Sequence, residues 1–187
     1  ENRSEYFFKS GYCYFESGDF NKAKNSFYQV KDSTRYYSSA SYYFSHIAYV
    51  QKNYQIALDG FIKLQSNDNF APIVPYYIAQ IFYLQEKFEE VIAYAPPLLD
   101  SANAQRAPEI ARIIGESYYL TKQYKEALPF FEKYQKGENI RTTREDDYQM
   151  GYCLYKSDNY ARAIALFKSV VVMKDSMGQN AAYLLGD

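Results

Sequence analysis

Small residues recur along this chain at a nearly constant interval, each inside an aromatic-rich segment. Gly11, Ser45, Ala79, Gly115, Gly151 and Gly186 are spaced 34, 34, 36, 36 and 35 residues apart. Twelve residues after each of the first five stands Ala23, Ala57, Val91, Ala127 or Ala163, and four further on Phe27, Phe61, Ala95, Phe131 or Phe167. A period of this length with two apolar segments per copy predicts helical hairpins stacked in chain order, because one hairpin cannot bury its apolar faces alone. Such a fold works by holding other molecules, and the sequence leaves open which ones.

Each copy reads as a helix A, a short turn and a helix B. In the first, helix A covers Ser4 to Glu16, Ser17-Gly18-Asp19 forms the break, and helix B runs from Phe20 to about Lys31. Gly18 suits the left-handed residue that follows a helix, and Asp19 can cap the next N-terminus. The turn recurs as Gln51-Lys52-Asn53, Gln85-Glu86-Lys87, Thr121-Lys122-Gln123 and Ser157-Asp158-Asn159, each followed by Tyr or Phe. Between copies, Asp32-Ser33-Thr34, Ser66-Asn67-Asp68, Asp100-Ser101 and Asp175-Ser176 are expected to cap the following helix A.

The order of small residue, Tyr three later, aromatic, then Ala and Phe resembles the tetratricopeptide repeat. Gly11/Tyr14/Phe20/Ala23/Phe27 and Gly115/Tyr118/Tyr124/Ala127/Phe131 carry the resemblance best, and it covers nearly the whole chain. It implies an all-α, right-handed superhelical solenoid of antiparallel helix hairpins, five repeats plus the first helix of a sixth. The expected domain is a single array over 1–187, with repeats at 4–34, 38–68, 72–103, 108–139, 144–175 and a partial copy at 179–187. Because the chain starts at Glu1 and stops within a sixth copy, it reads as a piece of a longer protein, and a Tyr-rich, nearly neutral array resembles bacterial envelope and scaffold proteins of this family. The third repeat departs most: Val91 and Ala95 replace Ala and Phe, and Pro96-Pro97 falls inside helix B, which is expected to be bent or short. Pro129 in helix B of the fourth repeat is expected to lie near enough to its N-terminus to be tolerated.

A wheel at 100° per residue separates three faces of helix A. Positions four before, one before and three after the small residue form the seam against helix B, among them Phe7, Tyr14, Ala48, Ile78, Ile114 and Leu154. The position two after it (Cys13, Ile47, Ile81, Ser117, Cys153) predicts a second buried face against the preceding repeat. Both cysteines are therefore expected to be buried, unpaired and structural; helices packed about 8–10 Å apart place four repeats too far apart for a disulfide. The third arc, which the resemblance implies lines a concave groove, holds Phe8, Tyr12, Phe15, Tyr42, His46, Tyr49, Tyr76, Gln80, Tyr83, Arg112, Glu116, Tyr119, Tyr148, Tyr152 and Tyr155. Eleven of these fifteen are aromatic, against about three at the chain's 19% average. In the row four after the small residue, packing of repeat on repeat stands beside exposure as an alternative.

Catalytic signatures are absent from the sequence. There is no phosphate-binding Gly loop and no nucleophile elbow, and the single histidine, His46, reads as a surface polar group. Adjacent acids such as Glu89-Glu90 and Asp146-Asp147 read as solvated charge. With 21 basic and 22 acidic residues and no long run of either sign, nucleic acid is a poor partner. No apolar run approaches the roughly 20 residues of a membrane span. The Lys and Asn clamp by which relatives hold acidic chaperone tails is missing, since its positions carry Phe8, Tyr12, Tyr42 and His46.

The reading is a non-enzymatic scaffold, without cofactor or metal, that takes an extended or helical peptide segment of another protein along a Tyr-lined groove. The alternatives are a spacer or self-assembly module that associates through its C-terminal end, or a regulatory segment of a larger protein. A periplasmic or envelope location is favoured over the cytoplasm.

Overall fold

The computed structural model describes residues 2–138 and 140–187. Residue 1 and the expected end of the fourth repeat at 139 lie outside the described residues. The described residues form two compact units, Glu1–Gln85 and Glu86–Asp187. Regular structure among them is eleven α-helices and one 3₁₀ segment, with no strand.

The first unit holds α1 (Asn2–Glu16), α2 (Phe20–Tyr28), α3 (Tyr37–Val50), α4 (Tyr54–Leu64) and α5 (Val74–Leu84). Helix α1 packs on α2 and α3 on α4 as hairpins, and α2 and α4 each also pack on the helix A that follows. The second unit holds α6 (Phe88–Tyr94), α7 (Ala107–Leu120), α8 (Tyr124–Gln135), α9 (Arg144–Tyr155), α10 (Tyr160–Val170) and α11 (Ser176–Gly186). Here α7/α8 and α9/α10 are the hairpins, α6 packs on α7, and α11 packs on α10.

Small residues on helix A exist to admit the ring of helix B. A Cβ on Gly11 would lie 2.7 Å from Phe27, on Gly115 3.0 Å from Phe131, and on Gly151 2.9 Å from Phe167. Those rings are almost wholly buried, each worth about 1.5–3 kcal/mol relative to exposure. In the second repeat Ser45 faces Gly60 instead, and a Cβ on Gly60 would overlap Ser45 Oγ.

Ile47, Ile81, Ser117 and Cys153 are fully buried, as the second buried face requires. Cys13 is exposed instead, because it lies on the first helix and no described helix precedes it to cover that face. Tyr14, assigned to the seam, is also exposed.

The intra-hairpin turns follow one design. Gly18, Lys52, Glu86, Lys122 and Asp158 all adopt positive φ, from 58° to 78°. At four of these turns two crossed bonds close the helix, for example Lys122 N to Tyr119 O (3.0 Å) and Gln123 N to Tyr118 O (2.8 Å). This is the left-handed helix stop that satisfies the last carbonyls.

Capping between repeats differs from expectation. Asp175 caps α11 through Gly178 N, but α3, α5 and α7 begin without a side-chain cap. Their linkers wind extra turns in which Asn67 and Asn103 hold backbone N–H groups locally, so the capping chemistry stays within the loop. Asp146 is buried rather than solvated and forms a reciprocal capping box with Thr143 at the start of α9.

Pro96-Pro97 ends α6 after seven residues and starts a 3₁₀ segment, Pro96–Asp100. Pro129 sits at the sixth residue of α8, beyond the first turn, and the helix continues to Gln135. One missing N–H does not break a helix anchored by Ala127 and Phe131.

Candidate functional site: rows of tyrosines on the A helices

In the first unit the expected residues lie on α1 (Phe8, Tyr12, Phe15), α3 (Tyr42, His46, Tyr49) and α5 (Tyr76, Gln80, Tyr83). Tyr12 is exposed and the rest are half-buried. Two rings the helical wheel left out organise them. Tyr43 and Tyr77 stand two residues before the small residue, 34 residues apart. Tyr43 stacks on Phe27 of the preceding helix B (5.6 Å, 14° between planes) and meets Tyr12 edge-on at 5.4 Å and Phe15 at 5.1 Å. Tyr77 repeats this one period on: it stacks on Phe61 (5.1 Å, 13°) and meets His46 at 5.5 Å and Tyr49 at 5.3 Å. The doublets Tyr42-Tyr43 and Tyr76-Tyr77 were the available signal in the sequence.

These contacts fix the rings from one A helix to the next. Tyr49 donates its hydroxyl to Gln80 Oε1 (3.0 Å), and Gln80 Nε2 donates to Tyr76 (2.6 Å). Tyr42 lies flat on Phe70 at 4.8 Å. His46 is not a surface group: it sits half-buried among Phe15, Tyr42, Tyr49 and Tyr77, and its buried Nδ1 has no hydrogen-bond partner. Burial lowers its pKa below 6.5. Burial, with Tyr76 nearby, likewise raises the pKa of the Tyr49 phenol.

In the second unit α7 carries Arg112, Glu116 and Tyr119, and α9 carries Tyr148, Tyr152 and Tyr155. Glu116 is buried. Arg112 donates to it at 2.7 Å and to Glu109 at 3.2 Å. Burial works against the Arg112 charge, and the two carboxylates outweigh it, so its pKa lies above the usual arginine value. Tyr152 is the hub here, 6.0 Å from Tyr119 and 5.2 Å from Tyr124. Tyr155 donates its hydroxyl to Asp187, and that bond, more than burial, pushes its pKa up to about 12. Tyr148 accepts from Asn180, so α11 is tied to α9 through two tyrosine hydroxyls. Lys156 Nζ lies over the Tyr152 and Tyr155 rings at 5.4 and 5.3 Å.

Among the described residues no group of three His, Cys, Asp or Glu could hold a metal ion. No described helix is long and apolar enough to cross a membrane.

The profile of the tetratricopeptide repeat matches residues 5–33 and 147–172, the first and fifth hairpins. The chain carries tetratricopeptide repeats at these two hairpins. Solved tetratricopeptide structures share the fold at low identity. The MamA RS-1 ArsTM double mutant superposes with a TM-score of 0.74 at 12% identity, covering 91% of this chain and 93% of that one. A tetratricopeptide repeat protein from Parabacteroides merdae ATCC 43184 gives 0.74 at 15%, covering 100% and 75%. Pseudomonas aeruginosa pilF gives 0.62 at 18%, covering 100% and 86%. No curated protein matches the chain. A tetratricopeptide array is in general a scaffold for protein–protein interaction.

Proposed function

We propose that this chain is a non-enzymatic scaffold whose tyrosine rows hold an extended or helical segment of another protein, each unit supplying its own row. The observation that carries the reading is the aromatic row on α1, α3 and α5. Its rings are fixed by one another and by the Tyr49–Gln80–Tyr76 hydrogen bonds, while part of each stays open to solvent. A ring already ordered loses little entropy when a partner arrives, and Tyr offers both apolar area and a hydroxyl. Balanced charge favours a protein segment over a polyanion.

Peptide display on the whole chain tests this. A motif enriched on the native protein should be lost on the variant carrying Tyr42→Ala, Tyr83→Ala and Tyr148→Ala, with each anchor worth about 2 kcal/mol. Enrichment that survives all three changes would sink the assignment.

A second reading, self-association, is favoured by the α10–α11 end. There a cleft of about 270 Å³ is lined by Tyr160, Ile164 and Leu184, and Tyr183 is 72% exposed. A mass that does not change with concentration would remove it.

A further inference from the structure

A cleft of about 460 Å³ opens in the first unit between α2, α3 and α4, on a different face of α3 from Tyr42, His46 and Tyr49. Its volume falls within the roughly 300–1,000 Å³ of clefts that hold ligands. Phe27, Phe44 and Leu64 form its apolar walls. Tyr28 and Ile56 stand at its rim, 78% and 50% exposed.

The fifth hairpin explains why the space is open. Fifteen residues after the small residue of helix A, the second repeat has Gly60 and the fifth has Leu166. The facing residue changes size in the opposite sense, Ser45 against Gly151. Ser45 Oγ is tied to the Ser41 carbonyl at 2.8 Å and occupies the place where a Gly60 side chain would start. At the rim, the position of Ile56 is taken in the fifth repeat by Arg162, which bridges to Glu132 at 2.8 Å; Glu132 holds the position of Tyr28. At the equivalent place the second unit carries a leucine and an ion pair, where the first unit has Gly60 behind an apolar rim. Lys63 lines the same cleft and has no partner among the described residues, whereas Asp59, one turn earlier, is held by the Gln55 amide at 2.8 Å. A free ammonium beside apolar walls complements a carboxylate carried next to apolar groups.

We propose that this cleft receives two or three apolar side chains of a peptide segment from another protein, with a carboxylate of that segment paired to Lys63. The second unit is the template, since a leucine fills the equivalent position there. This site is separate from the tyrosine rows and does not depend on them.

Random peptides displayed on phage and selected on the whole chain provide the test, each enriched peptide then being titrated against variants. Peptides with apolar residues three or four apart beside Asp or Glu should be enriched. Ser45→Gly combined with Gly60→Leu copies the fifth repeat, fills the cleft, and should weaken these peptides about tenfold or more. Ile56→Arg and Lys63→Glu change solvent-facing residues, keep the fold, and should do the same. Tyr42→Ala should leave their affinity unchanged. The proposal is overturned if no acidic and apolar peptide is enriched, or if Ile56→Arg and Lys63→Glu both leave affinity unaltered. It is also overturned if the fluorescent naphthalene sulfonate ANS enters the native cleft and is excluded by the filled variant while no peptide is, since the site would then belong to small amphiphiles.

Discussion

Four of the five left-handed turn residues carry a side chain, and only Gly18 is a glycine. A residue with a Cβ in that conformation is strained by about 1–2 kcal/mol, offset by the entropy that glycine loses on folding, about 0.5–1 kcal/mol. Lys122→Gly should therefore raise unfolding stability by about 0.5 kcal/mol in a urea titration, whereas Gly18→Ala should lower it by about 1 kcal/mol. If both changes move stability in the same direction, the turns are not governed by backbone strain. Space decides the other glycines. Gly151→Ala would drive a methyl to 2.9 Å from the buried Phe167 ring. The overpacking should outweigh the gain in helix propensity and cost about 1–2 kcal/mol net, measured in the same titration.

At the scale of the element, helices were legible wherever apolar spacing ran unbroken, and their ends were not. Repeat three shows why a local rule can suffice: adjacent prolines cannot continue a helix in any context, and α6 stops two residues before them. Caps depend on where the linker runs. Asp32-Ser33-Thr34 has the right residues but leads into a turn before α3, whereas Thr143 meets α9 directly. Thr143→Ala should cost about 1 kcal/mol and leave the buried Asp146 carboxylate short of one donor. The loss should show as faster amide exchange in the first turn of α9, with no matching change at α3.

Across the whole molecule, two ionisable groups should shape stability against pH. Burial keeps His46 neutral, so its folded pKa lies below the unfolded value near 6.5. The unfolded chain then binds the extra proton, and the contribution present above pH 6.5 is lost as pH falls toward the folded value. As His46 is the only histidine, its ring proton NMR signal reports this titration directly, and a midpoint at or above 6.5 would contradict the buried placement. Asp175 is opposite in origin. The hydrogen bonds from Arg144, at 2.5 and 2.7 Å, and then the Gly178 N–H hold its carboxyl well below the usual range. Its contribution persists above about pH 3.9 and disappears as pH falls through the folded value. Asp175→Asn should flatten the acid limb of stability below pH 4 and leave the His46 step in place.

By itself the sequence determined the period, the all-α hairpins, the turns within them, and the helices that carry the tyrosines. These follow from local propensity and from spacing along one helix, which neighbours cannot alter. Tertiary structure alone decided which rings organise the rows, because Tyr43 and Tyr77 acquire their role only when the Phe of the preceding helix B is laid against them. It also decided that Cys13 lies open while Cys153 is enclosed, that Glu116 and Asp146 are buried, and that a cleft opens beside Gly60. Each of these depends on which side chain arrives from another helix, and a wheel drawn on one helix contains no such term.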